Sequence, residues 1–420
     1  MKKILALLLC IAMLACVLAG CGDNSAKADT AAPADSSSDA SASSDASADA
    51  SSDSAASSGD KVVKIGVFEP QTGDNGAGGK QEILGMQYAN SLTPTVEIGG
   101  ETYTVELIYA DNQSSNDKAV SAAQELITNG ASVVLGSYGS GVSIAAATAF
   151  GDAGIPAIGV TCTNPQVTQV SDTYYRICFI DPFQGTVLAN YAKSLGATKA
   201  YCLAKQGDDY SVGLVNYFVE AFGAENCVQE VFQEGTSDYS SYVTNAKSNG
   251  CDIFFAPVST EAAALIIDQA ATQDLGMPIL AGDTWDSNVI VAAAQGKDNV
   301  HVYVTTFYQE GGNAEFDAAF KEWINSDSVN LENNGGNDMI AAVSVMGYDA
   351  YYVALEAIKA AGSADPAAVL EALPTVNYNG ITGNISFADG AKDATRDVAF
   401  IKYCNTETGA WDLIGEQGIE

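Results

Sequence analysis

The chain has 420 residues, and its 52 acidic residues against 18 basic ones leave a formal net charge of −34. This charge repels phosphate backbones and anionic lipid surfaces, so it argues against nucleic-acid binding. The one histidine, His301, lies in an alternating apolar segment that predicts a strand, which argues against Ser-His-Asp, Cys-His and multi-histidine metal chemistry. We therefore expect no catalytic residue, no metal and no cofactor.

Residues 1–20 have the pattern of a secretory signal peptide. Lys2 and Lys3 precede an uncharged apolar run that ends at Gly20 and is slightly short for spanning a bilayer. An uncleaved transmembrane anchor is the alternative. The segment ends in Leu-Ala-Gly-Cys, which resembles the lipobox of bacterial lipoproteins. That resemblance implies cleavage before Cys21, a diacylglycerol on its thiol, and a lipid-anchored protein on the outer face of the bacterial cell membrane.

Residues 21–60 predict a disordered tether between the membrane and a folded body. Of these 40 residues, 33 are Ala, Ser or Asp, and no apolar periodicity is present. Such a segment buries too little apolar surface to offset its chain entropy, and its acidic residues repel one another. We expect it to carry no ligand-binding chemistry.

Residues 61–307 alternate between short β-branched runs and helical patterns. The first series consists of strand 62–67, helix 81–90, strand 103–110, helix 116–128, strand 132–136, helix 142–150 and strand 155–160. The second series consists of helix 185–195, strand 200–204, helix 212–222, strand 228–232, helix 239–248, strand 252–258, helix 261–273, strand 278–281, helix 287–294 and strand 300–307. Such uninterrupted alternation predicts parallel sheets with right-handed crossovers and helices on both faces.

The remaining residues predict helices followed by hairpin-like strands. They comprise helices 315–324 and 339–361, a short helix after 365, and strands 380–387, 398–404 and 411–414. The total is too large for one core, so we predict an α/β fold with two doubly wound, Rossmann-like lobes. Residues 61–182 with 307–387 form lobe one, and residues 183–306 with 388–420 form lobe two. Several chain crossings then make a hinge.

Two polar loops follow strands of lobe one, where ligands of open α/β sheets bind. In the loop 136–141, the Ser140 hydroxyl and the amides of the following helix N-terminus favour a carboxylate. The alternative is an ordinary Gly/Ser turn with a helix cap. In the loop 161–165, the hydroxyls and carbonyls of Thr161 and Thr163 are directed to the same point, or the segment is a capping turn.

Two further polar loops follow strands of lobe two. In the loop 207–211, Tyr210 can cover a face of the ligand, while Asp208 or its neighbour caps the next helix. The loop 282–286 carries two acids, and an ammonium group in a dry cleft requires a carboxylate partner. Asp283 is the first choice and Asp286 the second, the alternative being that either caps the following helix.

The glycine-rich segment 73–80 does not match a phosphate-binding P-loop, because the lysine is followed by Gln81 instead of Ser or Thr. The sequence also lacks G-x-S-x-G and H-E-x-x-H motifs. We expect residues 76–79 to form a loop at the mouth of the cleft. A hydrolase is a remote alternative.

Taken together, these motifs resemble the branched-chain amino-acid binding proteins of ABC importers, the leucine/isoleucine/valine-binding family. The resemblance extends from about Val62 to the C-terminus and is carried by the segments Lys64–Val67, Val134–Ser137, Thr163–Pro165, Gly207–Ser211 and Gly282–Asp286. It implies the type I periplasmic-binding-protein fold, with a three-crossover hinge between the lobes and a ligand in the cleft.

Matching the family motifs residue by residue implies a ligand site. It places contacts to the ligand carboxylate on the side chains of Ser140 and Thr163, a main-chain contact at Thr161, pocket-lining positions at Tyr138 and Gly139, a second-lobe contact at Tyr210, and the ammonium-binding acid at Asp283 or Thr284. Gly139 stands where the best-known members have a disulfide cysteine, and a second pocket tyrosine is replaced near Val258. We interpret the six cysteines after residue 60 as free, buried thiols.

The function implied is capture of an amino acid, branched-chain or another small apolar one, by a monomeric extracytoplasmic protein. It delivers the ligand to ABC permease subunits and is held to the membrane by its lipid anchor. Two alternatives bind a ligand in the same cleft: an extracellular sensing module for a receptor, and a binding protein for an amide or a urea-like solute.

Overall fold

The computed structural model describes residues 61–388 and 390–419, in which helices cover two large β-sheets. The signal peptide, the lipid anchor on Cys21 and the tether lie outside the described residues and stay predictions. None of the described helices has the length and apolarity that a bilayer span requires.

The first sheet has six strands in the spatial order β2-β3-β1-β4-β5-β6. Its strands are β1 (Val62–Glu69), β2 (Thr95–Ile98), β3 (Glu101–Asp111), β4 (Val133–Leu135), β5 (Ala157–Gly159) and β6 (Tyr174–Arg176). All neighbours are parallel except the β2–β3 hairpin. The parallel strands at the centre are short apolar runs buried on both faces, as helix-covered sheets require.

The second sheet has seven strands in the order β15-β14-β11-β10-β9-β7-β8. Its strands are β7 (Ala200–Lys205), β8 (Cys227–Phe232), β9 (Ile253–Phe255), β10 (Ile279–Ala281), β11 (Val302–Thr306), β14 (Ala399–Asn405) and β15 (Ala410–Gln417). The first five are mutually parallel, and the last two add an antiparallel edge. A separate hairpin is formed by β12 (Asn377–Gly380) and β13 (Gly383–Ser386).

Thirteen α-helices lie within the described residues. They are α1 (Gly76–Leu92), α2 (Asn116–Thr128), α3 (Ser140–Asp152), α4 (Gln166–Gln169), α5 (Asp181–Ser194), α6 (Asp209–Phe222), α7 (Ser240–Ser248), α8 (Thr260–Thr272), α9 (Asn288–Ala294), α10 (Ala314–Asn325), α11 (Ser328–Asn333), α12 (Ala342–Ala361) and α13 (Pro366–Ala372). Helix α12 follows β11 of the second sheet in sequence but packs on α1, beside the first sheet. Gly85 and Gly347 permit this close packing, because a Cβ at either position would overlap a backbone oxygen of the other helix.

The chain therefore crosses three times between the part of the molecule built on the first sheet and the part built on the second: after β6, after β11 and before β14. The third crossing is tied to the first. The backbone N–H of Arg176 donates to Lys392 O at 2.8 Å, and Ala394 N donates to Arg176 O at 2.8 Å. The buried guanidinium of Arg176 also binds Asp393 at 2.6 Å. These contacts confirm the predicted α/β class with a three-crossover connection.

The expectation that residues 76–79 form a loop is wrong, because they are the first turn of α1. A Cβ at Gly78 would overlap the Tyr138 ring, and one at Gly79 would overlap Pro70. Tertiary packing thus requires glycine there and outweighs its low helix propensity. The sequence patterns also missed β2 and β6. The six cysteines of the described residues are all free, and five of them are buried.

Candidate functional site

The four predicted polar loops converge where the carboxyl ends of the two sheets face each other. Two loops follow β4 and β5 in the first sheet, and two follow β7 and β10 in the second. Direct hydrogen bonds join the two sides. Tyr138 Oη donates to Thr284 O at 2.9 Å, and Asn164 Nδ2 donates to Asp209 O at 2.8 Å. The loops therefore form one cleft, as the strand directions predict.

On the side of the first sheet, Ser140 is the first residue of α3, directly after Gly139. Its Oγ accepts a hydrogen bond from Asn164 N at 3.1 Å, which connects the two loops of this side. Thr163 is buried and its hydroxyl lies beside the Asp181 carboxyl. The helix N-terminus leaves backbone N–H groups of α3 free of intrahelical partners, which favours an anion.

On the side of the second sheet, Asp283 is 1% exposed and is surrounded by neutral donors. Its Oδ1 accepts from Gln184 Nε2 at 2.7 Å and from Tyr210 Oη at 3.0 Å, while its Oδ2 has no partner among the described residues. Gln184 is held in turn by a 2.8 Å hydrogen bond to Thr305 Oγ1. Burial raises the pKa of Asp283 to about 6, against the opposing effect of the two hydrogen bonds.

The second-choice acid, Asp286, has different partners. Its Oδ2 is 2.9 Å from Lys402 Nζ and also accepts from the Thr306 hydroxyl. Both members of the ion pair are buried. The negative charge of Asp286 is thus balanced within the protein, which favours Asp283 as the acid available to a ligand. Neither acid caps α9, whose N-cap is Ser287, whereas Asp208 does cap α6.

Three buried acids next to predicted site residues escaped the sequence analysis: Asp181, which lies beside Thr163, and two acids that contact the loops after β4 and β5. Glu69 ends β1, and its Oε2 accepts from Tyr138 N at 2.7 Å; Glu82 lies on the buried face of α1 and accepts from the Thr161 hydroxyl. Burial raises the pKa of Glu82 to about 7 and raises that of Glu69 well above its ordinary value, with the neighbouring Glu82 adding to the effect. The sequence did offer a signal for Glu69, because it lies at the carboxyl end of a strand, where ligands of parallel sheets bind.

The cleft is nearly closed in this structure. The cavity between its loops has a volume of about 50 Å³, and its lining includes Tyr138, Ser140, Tyr210 and Thr284. At the rim, Lys205 Nζ is 2.7 Å from an oxygen of Asp74, which joins β7 to the loop before α1. A larger cavity of about 640 Å³ lies between residues 309–340 and 402–411, but no predicted site residue lines it.

Comparison with known proteins gives consistent results. The family model described as periplasmic binding protein matches residues 62–408. A Leu/Ile/Val-binding protein homolog 1 from Brucella abortus is 27% identical over 338 residues, covering 78% of this chain and 86% of the relative. An amino acid binding protein from Pseudomonas aeruginosa is 28% identical over 252 residues, covering 58% of this chain and 67% of the relative.

Solved structures agree on the fold. The leucine binding protein LivK from Thermotoga maritima superimposes with a TM-score of 0.73 at 31% identity, covering 85% of this chain and 99% of its own. The binding protein LivJ from Streptococcus pneumoniae, in complex with isoleucine, superimposes with a TM-score of 0.71 at 23% identity, with the same coverage of both chains, and supports the fold alone. This chain belongs to the periplasmic binding protein family.

Proposed function

We propose that this protein is the solute-binding component of an ABC importer, and that it captures a free amino acid in the cleft between its lobes. The observation that carries the proposal is the pairing of two complementary subsites. The N-terminus of α3 with Ser140 suits a carboxylate. The buried Asp283, which within residues 61–388 and 390–419 has an unpartnered oxygen and no cation beside it, suits an ammonium group. A zwitterionic amino acid satisfies both.

The contacts of each loop support the assigned roles. Ser140 and Thr163 contact the ligand carboxylate, and the main chain of Thr161 adds a contact, since its side chain is engaged by Glu82. Tyr138 and Gly139 line the pocket. Tyr210, whose hydroxyl already contacts Asp283 and Thr284, closes the pocket from the second lobe.

Capture proceeds by hinge closure, in which the lobes approach and exclude water from the ligand. Lobe one comprises residues 61–182 with 307–387, and lobe two residues 183–306 with 388–420. Residues 176–178 and 392–396, which are bonded side by side in two of the three crossings, are where we expect the hinge. The protein binds and releases its ligand unchanged, as a carrier and not an enzyme.

The names of the relatives support amino-acid binding, and the sequence of residues 1–21 supports an extracytoplasmic protein with a lipid anchor on Cys21. The closed monomer then docks on ABC permease subunits. A sensing module for a receptor would use the same cleft. Neighbouring permease and ATPase genes, or permease subunits that co-purify with this chain, would distinguish an importer component from such a sensor.

The experiment that tests the proposal combines calorimetry with small-angle X-ray scattering on the purified protein, using a panel of free amino acids. We expect at least one amino acid to bind with one-to-one stoichiometry and to reduce the radius of gyration. Mass spectrometry of the released ligand should find it unaltered. Absence of binding across the panel, or binding without compaction, would contradict the proposal.

A further inference from the structure

Asp74 lies in the glycine-rich segment before α1, and its backbone is held in place on the side of the first sheet. The carboxylate of Asp111, at the end of β3, accepts a hydrogen bond from the Thr72 hydroxyl at 2.7 Å. Gly73 has a φ of +83°, and a Cβ there would overlap the backbone oxygen of Gln113. The first lobe therefore fixes the position at which Asp74 meets the second lobe.

Both the carboxylate and the main chain of Asp74 contact the opposite side of the cleft. The carboxylate lies 2.7 Å from Lys205 Nζ, at the end of β7. The backbone oxygen accepts hydrogen bonds from the Thr260 hydroxyl at 3.3 Å and from Glu261 N at 3.4 Å, in the first turn of α8. The N–H groups of a first turn have no intrahelical partner, and Asp74 satisfies one of them. One residue of the first lobe thus joins two elements of the second.

Lys205 contacts two acids, of which only Asp74 lies across the cleft. Its Nζ is also 2.5 Å from Glu234, which follows β8 in the same lobe as Lys205. The Asp74 side chain is 35% exposed and that of Glu234 is 75% exposed, so salt screens the pair with Asp74 less. Among the ion pairs within residues 61–388 and 390–419, the pair of Asp74 and Lys205 is the one that spans the cleft away from the chain crossings.

We propose that Asp74 is a positioning residue for ligand binding, which holds the two lobes together through Lys205 and the start of α8 and so slows the release of a bound amino acid. This inference rests on the proposed function, since it concerns the same hinge closure. The contacts of Asp74 join surfaces that separate when the cleft opens, so water must replace them before the amino acid leaves. Their loss should therefore raise the dissociation rate more than it changes the association rate.

The dissociation rate of radiolabelled leucine, chased with unlabelled leucine, tests this role in the full-length protein. Leucine is the probe because a leucine binding protein is among the relatives, and the tightest-binding amino acid of the panel replaces it if leucine does not bind. Asp74→Asn keeps the backbone oxygen and removes the charge, and Lys205→Met removes the cation. Each should raise the dissociation rate by roughly 2- to 5-fold, as loss of a partly exposed ion pair predicts. The double variant should show no larger effect than either single variant, because both act on one contact.

Glu234→Gln is the matched control. It removes the other carboxylate partner of Lys205, but that contact lies within one lobe and is present whether the cleft is open or closed. This variant should therefore not raise the dissociation rate. A rate raised as much in Glu234→Gln as in Asp74→Asn would overturn the inference.

Ionic strength gives a readout that a general loss of structure would not reproduce. Raising it from about 0.01 M to about 1 M shortens the screening length from about 30 Å to about 3 Å. The dissociation rate of the natural protein should rise by roughly the same 2- to 5-fold. Asp74→Asn and Lys205→Met should respond much less, since they lack the ion pair. An equal salt response in the natural protein and in both variants would contradict the role of Asp74.

A carbodiimide tests the contact itself, because it joins a lysine amine to a carboxylate that touches it, and takes up the water released as a urea. Mass spectrometry of the peptides compares the amide between Lys205 and Asp74 with the amide between Lys205 and Glu234. Added leucine should raise the ratio of the first to the second.

Three results decide the inference. A product with Glu234 and none with Asp74 overturns it. Leucine dissociation rates that are unchanged in Asp74→Asn and Lys205→Met also overturn it, while the proposed function stands. If no amino acid binds, both the inference and the proposed function are overturned.

Discussion

Asp283 and Asp286 lie three residues apart on the same loop, and both are almost fully buried, yet their surroundings are opposite. The Asp286 carboxylate pairs with Lys402 at 2.9 Å. The Asp283 carboxylate receives hydrogen bonds only from the neutral side chains of Gln184 and Tyr210, and no Lys, Arg or His of the described chain lies within 4.0 Å of it. The charge of Asp286 is balanced by Lys402, whereas the charge of Asp283 has no balancing cation among the described residues.

The difference is the one we expect between an acid that stabilises the fold and an acid that binds a ligand. A buried charge with an internal partner contributes to the folded state only as long as that partner remains. A buried acid without a cation disfavours the ionised folded state, and such arrangements are concentrated at sites that meet an external partner. We therefore expect substitutions around Asp286 to lower stability and substitutions at Asp283 to lower ligand affinity.

The largest effect is expected from Lys402→Met, which leaves the Asp286 carboxylate buried without its cation. The free energy of unfolding should fall by roughly 3–5 kcal/mol, as measured by urea denaturation. Lys359→Met is the control, because its partner Glu356 is on the surface, with both side chains 42% exposed, and that loss should stay below about 1 kcal/mol. Equal losses from the two variants would remove the distinction between structural and functional acids.

The next effect is on binding. Asp283→Ala should weaken amino-acid binding by roughly 2–5 kcal/mol, because the ligand ammonium loses its buried partner. Without ligand at neutral pH, stability should not fall and should rise, because the variant removes a buried ionised acid that has no cation, while Gln184 keeps its hydrogen bond to Thr305 and Tyr210 keeps Thr284 within reach. Calorimetry gives the affinity and urea denaturation the stability. Unchanged affinity would reject the role assigned to Asp283. Asp286→Ala should instead lower the free energy of unfolding and leave the ligand affinity nearly unchanged.

The location of the site could be predicted from the sequence because parallel strands place their carboxyl ends at one edge. The loops at 136–141, 161–165, 207–211 and 282–286 each follow such a strand, so their convergence needs only the order of elements and right-handed crossovers. Local chemistry then made Tyr210 and Asp283 candidates for ligand contacts, and the structure joins these two side chains by a hydrogen bond.

Contacts between residues distant in sequence could not be predicted in the same way. Asp286 is paired with a lysine 116 residues away, so its sequence neighbours give no sign that its charge is balanced. The need for glycine at position 78 arises from the Tyr138 ring, which a Cβ there would overlap, and Glu82 packs against Gly347 of α12. In each case tertiary packing, which one sequence does not display, outweighs the local pattern.

The smallest effect is a pH dependence of binding that should belong to Asp283. In the unligated protein burial raises its pKa to about 6, and a bound ammonium favours the ionised form. Below pH 6 binding therefore releases a proton, so affinity should fall about tenfold per pH unit as the pH decreases. Glu82 has a pKa of about 7 and Asp181 a pKa of about 8, so both acids ionise above pH 6 and add negative charge near Asp283. The ligand affinity should therefore continue to rise above pH 6, but more weakly.

Calorimetry from pH 5 to 8, in buffers of different ionisation enthalpy, measures both the slope and the proton released. Asp283→Asn should flatten the dependence below pH 6 and leave the weaker rise above it, whereas the same slope in this variant would assign the proton elsewhere. The free energy of unfolding of the protein without ligand should change in the opposite direction, decreasing as the pH increases. Because the folded-state pKa values of these acids are raised, their contribution to stability is present near pH 4 and is lost as the pH increases towards 8. A buried acid that has no cation in the fold and binds the cation of the ligand therefore has two effects over the same pH range. As the pH increases, the protein without ligand becomes less stable, and the ligand binds more tightly.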